Sequence, residues 1–116
     1  MREVHQGEVF WFDFGPAVGS APAKRCPCVV VQGDVFNRSH IATTVVCLIT
    51  SNEFRSRSSG NVPLKKGDAN LPKDSVVNIT QVATVDRSEL VERIGELPAA
   101  TVDAIRDGLQ LLFERM

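Results

Sequence analysis

The sequence is poor in the residues that build metal centres and disulfide frameworks. It has three cysteines, Cys26, Cys28 and Cys47, and an odd number argues against a disulfide framework. Cys26 and Cys28 are separated by one residue, whereas metal-binding pairs usually have the Cys-x-x-Cys spacing, and only His5 and His40 could complete a site. We therefore predict no metal and no cofactor, and we expect Cys28 and Cys47 to be buried in the core.

Long hydrophobic runs are also absent. No apolar segment approaches the length of a membrane span, and the first five residues lack the apolar stretch of a secretory signal. Of the 116 residues, 43% are hydrophobic and 23% are charged, which is ordinary for a globular protein. We expect one domain with one core, located in the cytoplasm and not associated with a membrane.

The motifs of several common enzyme classes are missing. The sequence has no glycine-rich phosphate loop, no Gly-x-Ser-x-Gly elbow and no histidine-rich metal cluster. His5 and His40 could in principle form the acid–base pair of a histidine-based ribonuclease. Because His5 lies near the start of the chain and His40 lies next to a predicted strand, we expect both to be surface residues.

Charge is distributed unevenly along the chain, although the net charge is only −1. Residues 17–66 contain seven lysines and arginines against two acids, whereas residues 74–116 contain four arginines against eight acids. This asymmetry permits a positively charged surface that attracts phosphates on a protein that is nearly neutral overall. A set of basic loops without such a function is the alternative.

Five segments have the β-branched and aromatic composition that is typical of strands. They are residues 8–14, 27–32, 41–50, 62–64 and 75–85. The strongest is 41–50, which is almost continuously apolar, so we expect both of its faces to be covered. Proline, glycine and serine indicate loops at 17–25 and 51–61.

After residue 85 the pattern changes from strand to helix. Asp86 and Glu89 have the spacing of a capping box, which predicts a short helix ending near Gly95. Pro98 then opens a segment that predicts a C-terminal amphipathic helix of about four turns. Its apolar stripe consists of Val102, Ile105, Leu109, Leu112 and Met116. Strands followed by helices indicate an α+β domain or a barrel with helices.

Polar side chains stand where the second and third predicted strands meet loops. Thr50 and Ser51 end the long apolar strand and place two hydroxyls where a loop begins, and Arg25 lies just before the second strand. Such positions combine a rigid sheet with access to solvent, which is typical of functional sites. Threonine and serine also favour turns for local reasons, so simple loop capping is the alternative.

Several blocks of sequence, taken in order, resemble the MazF/PemK family of type II toxins. They are 7–11 (GEVFW), 19–20 (GS), 24–31 (KRCPCVVV), 37–38 (NR), 49–52 (ITSN), 60–62 (GNV), 71–78 (LPKDSVVN), Gln81 and 94–95 (IG). With the closing amphipathic helix, the resemblance spans essentially the whole chain. It implies a single toxin domain over residues 1–116, folded as a small SH3-like β-barrel of the MazF/CcdB type with a C-terminal helix.

The resemblance also implies a function and a set of partners. Members of the family are homodimers that cleave single-stranded RNA at short sequences without a metal, and thereby inhibit translation and growth. A MazE-like antitoxin, typically acidic and partly disordered, silences them. The basic segment would therefore suit the antitoxin as well as RNA. Leu111 and Phe113 lie off the helical stripe, and their exposure would suit a partner.

The family's site residues can be transferred one by one. The family threonine falls on Thr50, and a neighbouring hydroxyl falls on Ser51. The family arginine immediately precedes the proline, a position held here by Cys26, with Arg25 one residue earlier. The residues that we predict to contact RNA are Ser20, Lys24, Asn37, Arg38, Asn52, Arg55 and Gln81.

The cysteine at position 26 leaves competing hypotheses. Arginine binds phosphate through two parallel hydrogen bonds and stays charged, which cysteine cannot do. A shift of one residue in a regular strand moves a side chain to the opposite face, so Arg25 would point away from the site unless the strand has a bulge. Either Arg25 reaches the scissile phosphate, or the chain binds RNA and antitoxin but cleaves poorly. A non-enzymatic gyrase inhibitor like CcdB, which is similar in fold, is a third hypothesis.

Overall fold

The computed structural model describes residues 2–15, 24–51 and 58–115, with the side chains of Phe14 and Lys24 excepted. Within these ranges the chain forms one antiparallel sheet of six strands in the order β4-β5-β3-β2-β1-β6. The strands are β1 (Glu8–Gly15), β2 (Lys24–Val30), β3 (Thr43–Thr50), β4 (Val62–Leu64), β5 (Ser75–Asp86) and β6 (Glu92–Glu96). Two α-helices, α1 (Asp34–Asn37) and α2 (Ala99–Leu112), and two 3₁₀ turns, Asp68–Asn70 and Arg87–Glu89, complete the described elements.

Alternate residues of the central strands form two buried clusters, because successive side chains of a strand point to opposite faces. One cluster includes Val9, Val29 and Cys47 and is covered by Ile105 of α2, and we call this side of the sheet the helix face. The other cluster forms the opposite face. It includes Phe10, Phe12, Cys28, Val30 and Val46, together with Val4 and Leu90 from outside the sheet.

A large bulge bends β5 in the middle. Cys47 of β3 pairs with Val82 and Ile49 pairs with Val77, so two residue steps in β3 correspond to five in β5. Asn61 supports the bulge, because its Oδ1 accepts a hydrogen bond of 2.9 Å from the backbone N–H of Ile79. Such extra residues increase the local bend of a strand. The first part of β5 can therefore turn away to pair with the short strand β4.

The sheet curls until its two ends approach each other. The side-chain amide of Asn70, just after β4, donates a 2.9 Å hydrogen bond to the carbonyl of Ile94 in β6. Gly95 makes this approach possible, since a Cβ there would lie 2.7 Å from the carbonyl oxygen of Ala69. The result is a curled half-barrel, and α2 packs on its helix face.

The predicted elements are confirmed in the main. All five predicted strands are present, with ends displaced by up to three residues, and so are the C-terminal helix and the α+β class. Cys28 and Cys47 are buried as expected. The prediction that both faces of 41–50 are covered is wrong for Ile41, which precedes β3 and is 43% exposed. No helix in the described residues is long and apolar enough to cross a membrane.

The predicted helix between Asp86 and Gly95 is wrong. Asp86 does cap a turn, with its carboxylate accepting a 2.9 Å hydrogen bond from the N–H of Ser88. The turn is a single 3₁₀ turn, and the chain then enters β6. The reason is tertiary, because β6 pairs with the open edge of β1 and thereby satisfies backbone groups that would otherwise be exposed there.

Candidate active site

The ladder between β2 and β3 brings the two strand ends predicted for the site together. Cys28 pairs with Leu48, Val29 with Cys47, and Val30 with Val46. The same register, continued by two residues, puts Cys26 opposite Thr50 on the face that bears Cys28. Both side chains are partly exposed, and Ser51 follows as an exposed residue. The position of the family arginine therefore lies beside the predicted catalytic hydroxyls.

Arg25 lies on the other side of the strand. The pairing of β2 with β1 is regular from Val29 to Arg25, so no bulge returns Arg25 to the face of Cys26. Its guanidinium stacks 4.9 Å from the centre of the Trp11 ring. It also forms an ion pair with Glu92 of β6. The structure thus does not bring Arg25 to Thr50, because strand alternation directs it to the helix face.

Trp11 and Glu92 were not predicted as part of the site, although they determine the surroundings of Arg25. The two residues are directly paired between β1 and β6. Arg25, one strand further, reaches across the tryptophan to the carboxylate, and its side chain remains 54% exposed. The contact depends on the pairing of β6 with β1. The segment that forms β6 was predicted as a helix, so this pairing could not be expected from the sequence.

The Cys26–Thr50 pair has an apolar residue beside it on each neighbouring strand, and polar amides lie further along β5. Phe12 of β1 pairs with Cys26, and Val76 of β5 pairs with Thr50. The side chains of Phe12 and Val76 are both buried. Beyond Val76 comes Asn78, which is only 2% exposed and donates a 2.8 Å hydrogen bond to Oε1 of Gln81. Gln81 is exposed at the bulge, which lies opposite Leu48 and thus two residues from Thr50.

Asn37 does not fit its predicted contact with RNA. It is 3% exposed, and its amide oxygen accepts hydrogen bonds of 2.9 Å from the Gln32 amide and 2.9 Å from the Thr44 hydroxyl. Its amide nitrogen donates to the carbonyl of Gln32 at 2.8 Å. With both ends of the amide engaged, the side chain ties α1 to β3 instead of facing solvent.

Arg38 is also remote from the Cys26–Thr50 pair. It follows α1 and precedes β3, whereas Thr50 ends that strand. The seven residue steps of β3 separate its two ends by about 23 Å at the usual rise per residue. Among the other predicted contacts, Ser20, Asn52 and Arg55 lie outside the described residues, and so does the side chain of Lys24, whose backbone begins β2.

The other thiols and the histidines offer no acid–base group here. Burial raises the pKa of the Cys28 thiol to about 12, and burial raises the pKa of Cys47 to about 11. Both therefore stay protonated at neutral pH. His5 and His40 are exposed and lie near the start of β3, with His5 paired to Glu3 at 3.1 Å. Within the described ranges, no three metal-binding side chains come together.

Fold and site together define a small α+β half-barrel protein with hydroxyls, a thiol and amides near the end of its central strands. A sequence profile of the PemK-like, MazF-like toxins of type II toxin–antitoxin systems matches residues 5–113. The chain belongs to this family, and the resemblance of the sequence blocks is confirmed.

Similar proteins include named ribonucleases. The endoribonuclease MazF6 of Mycobacterium tuberculosis is 40% identical over 111 residues, which cover 96% of this chain and 97% of that protein. The endoribonuclease EndoA of Bacillus subtilis is 29% identical and covers 93% and 92%.

Solved structures agree in fold. A mycobacterial endoribonuclease in complex with its cognate antitoxin superposes with a TM-score of 0.76 at 23% identity, over 97% of this chain and 99% of that one. MazF from Deinococcus radiodurans gives a TM-score of 0.73 at 25% identity, over 97% of both chains.

Proposed function

We propose that this chain is the toxin of a type II toxin–antitoxin pair and acts as a sequence-specific endoribonuclease on single-stranded mRNA. Family membership and the 40% identity to a named endoribonuclease support this activity. The observation that supports the location of the site is the register of β2 on β3, which, continued by two residues, sets position 26 against Thr50. The named relatives do not favour the gyrase-inhibitor hypothesis.

The proposed reaction needs no metal. The ribose 2′-oxygen attacks the adjacent phosphorus while its proton passes to a base, and the bond from phosphorus to the 5′-oxygen breaks as that oxygen takes up a proton. The products are a 2′,3′-cyclic phosphate and a 5′-hydroxyl. The hydroxyls of Thr50 and Ser51 donate hydrogen bonds to the phosphate oxygens, which gain charge in the transition state.

The charge that stabilises this transition state does not come from Arg25 in the observed arrangement. Its guanidinium is engaged by Trp11 and Glu92 on the helix face. We assign Arg25 a positioning role, since the contact joins β2 to β1 and β6 and so steadies the part of β2 that carries Cys26. Apart from Arg25, the nearest cation along this strand is Lys24, two residues before Cys26.

We further propose that the toxin works in the cytoplasm as a homodimer and is silenced by an acidic antitoxin. Residues 17–66, with their excess of lysine and arginine, would attract either the antitoxin or RNA. Leu111 and Phe113 at the end of α2 are 49% and 75% exposed, as predicted for residues off the apolar stripe. They suit an apolar contact with a partner.

The test is an RNA cleavage assay with purified protein and EDTA. Wild-type protein should yield discrete fragments that end in a cyclic phosphate or a 3′-phosphate. Thr50→Ala should slow cleavage about 100-fold or more, in line with the loss of one transition-state donor. Thr84→Ala, which removes an exposed hydroxyl from the far half of β5, should cleave at the wild-type rate. Intact RNA with wild-type protein would overturn the proposal.

A further inference from the structure

A second polar region lies at the opposite end of β3 from Thr50. A cavity of about 310 Å³ opens there between the N-terminal segment and the residues that follow α1. Its charged and titratable lining comprises Arg2, His5, Arg38, His40 and Arg87, with Glu3 as the acid. Three arginines and one carboxylate thus line the cavity, and the Asp34 carboxylate, outside the lining, interacts with His5 and Arg38.

Arg87 is the most unusual of these residues. It is 2% exposed, although arginine is almost never fully buried without a partner. Its Nη2 donates to the carbonyls of Phe36 at 3.2 Å and Ser39 at 3.5 Å, and no carboxylate of the described residues pairs with it. Its buried Nε has no acceptor among the residues that the structure describes. A buried charge without a counter-charge costs free energy, and a bound anion would reduce that cost.

Arg2 repeats this pattern on the other wall. Its guanidinium lies 5.0 Å from the centre of the Phe10 ring, and its buried Nε also has no acceptor within residues 2–15, 24–51 and 58–115. The one acid, Glu3, is paired with His5. The carboxylate in the lining is therefore already engaged by His5.

We propose that this cavity binds a phosphate-type oxyanion between Arg87, Arg2 and Arg38. Arginine forks match the oxygens of phosphate and remain charged at every physiological pH, and three of them line this one cavity. The source of the phosphate is either a free anion, such as inorganic phosphate or a nucleoside monophosphate, or the backbone of RNA. The RNA source rests on the proposed function. It would place a backbone contact about 23 Å along β3 from Thr50.

The first test is a titration of the full chain with inorganic phosphate at constant ionic strength, followed by amide NMR. Saturable shifts should centre on residues 2–5, 36–40 and 87. Arg38→Gln removes an exposed member of the cavity without disturbing the core and should weaken binding about tenfold, as expected for one charged hydrogen bond. Arg106→Gln, an exposed arginine of α2 outside the cavity, is the matched control and should bind like wild type.

Arg87→Gln should abolish binding, and because this variant can fail to fold, Arg38→Gln keeps the test decisive. Shifts that never saturate, or that are equal in wild type and Arg38→Gln, would overturn the site. Saturable binding of an acidic peptide with none of phosphate would overturn it as well.

A competition experiment then identifies the source. A 2′-deoxy oligonucleotide, which lacks the attacking hydroxyl, either displaces the bound phosphate in an Arg38-dependent manner or does not. Displacement supports the RNA backbone as the source, and its absence supports a free phosphate or mononucleotide. Because both titrations can be run on Thr50→Ala protein, they stay independent of cleavage, and a failure of the proposed nuclease function would leave their outcome unchanged.

Discussion

Replacing Cys26 by arginine should turn this chain into a faster nuclease. The β2–β3 register, continued by two residues beyond the Cys28–Leu48 pair, puts position 26 opposite Thr50 on one face. Residues opposed in this way in a ladder have Cβ atoms about 5 Å apart. An arginine at that position can reach a phosphate held by the Thr50 hydroxyl. Arg25 cannot do so from the helix face, where Trp11 and Glu92 engage it.

The gain can be worked out from the interaction that is added. One hydrogen bond between a charged donor and its acceptor contributes about 1.5–3 kcal/mol. If it forms only in the transition state, the cleavage rate rises about 10- to 150-fold. Cys26→Lys should gain less, because an ammonium group lacks the planar fork. Cys26→Gln, which adds a polar side chain without charge, should gain little.

The assay is single-turnover cleavage of one short RNA in EDTA, with circular dichroism to confirm that each variant is folded. An unchanged rate for folded Cys26→Arg would refute the assignment of position 26 to the phosphate. Loss of all cleavage in Arg25→Ala, with the fold intact, would refute the positioning role. It would show instead that Arg25 leaves the helix face to act directly.

Other predictions concern the framework of the site. Asn61→Ala should lower the free energy of unfolding in urea by about 1–3 kcal/mol, because the Ile79 N–H loses its acceptor, whereas Asn61→Asp keeps an acceptor and should cost less. Gly108→Ala should cost a similar 1–3 kcal/mol or more by overpacking, since its Cβ would lie 2.3 Å from the Gly60 carbonyl oxygen. Gly33→Ala, with open space around it, is the control, and a cost equal to that of Gly108→Ala would contradict the packing argument. At pH 8, Ellman's reagent should react rapidly with Cys26 alone, because pKa values of about 12 for Cys28 and about 11 for Cys47 leave about 0.1% thiolate or less. Rapid reaction of two or three thiols in native protein would contradict this. Arg25→Ala should reduce stability by only about 1 kcal/mol, since the stacking and ion pair are largely exposed. A much larger loss in thermal unfolding would count against that estimate of its contacts.

Local patterns predicted most of the elements, for identifiable reasons. The apolar run that includes β3 is unusually β-branched, and the stripe through Ile105 has a clear helical period, so both were recognisable without tertiary information. The segment after Asp86 was misjudged, because a capping-box spacing suits a 3₁₀ turn as well as a helix. The free edge of β1 then decided in favour of a strand.

The same division holds for the site. The strand-end hydroxyls and the conflict at positions 25 and 26 were evident from the sequence, since alternation along a strand is a local rule. The burial of Asn37 was not, because it depends on hydrogen bonds to Gln32 and Thr44 across the α1–β3 corner. Nor could the sequence show that Arg38 and Arg87, far apart along the chain, line one cavity.

What the sequence determined by itself is the family, the order of the first five strands and the C-terminal helix, and the presence of cysteine where an arginine is expected. What only the tertiary structure decided is the direction of Arg25. A regular strand pairing from Val29 to Arg25 leaves no bulge that could turn it toward Thr50. Trp11 and Glu92 then engage the side chain from strands β1 and β6. Alternation is a local property, but the absence of a bulge and the identity of the cross-strand partners depend on strands brought together by folding.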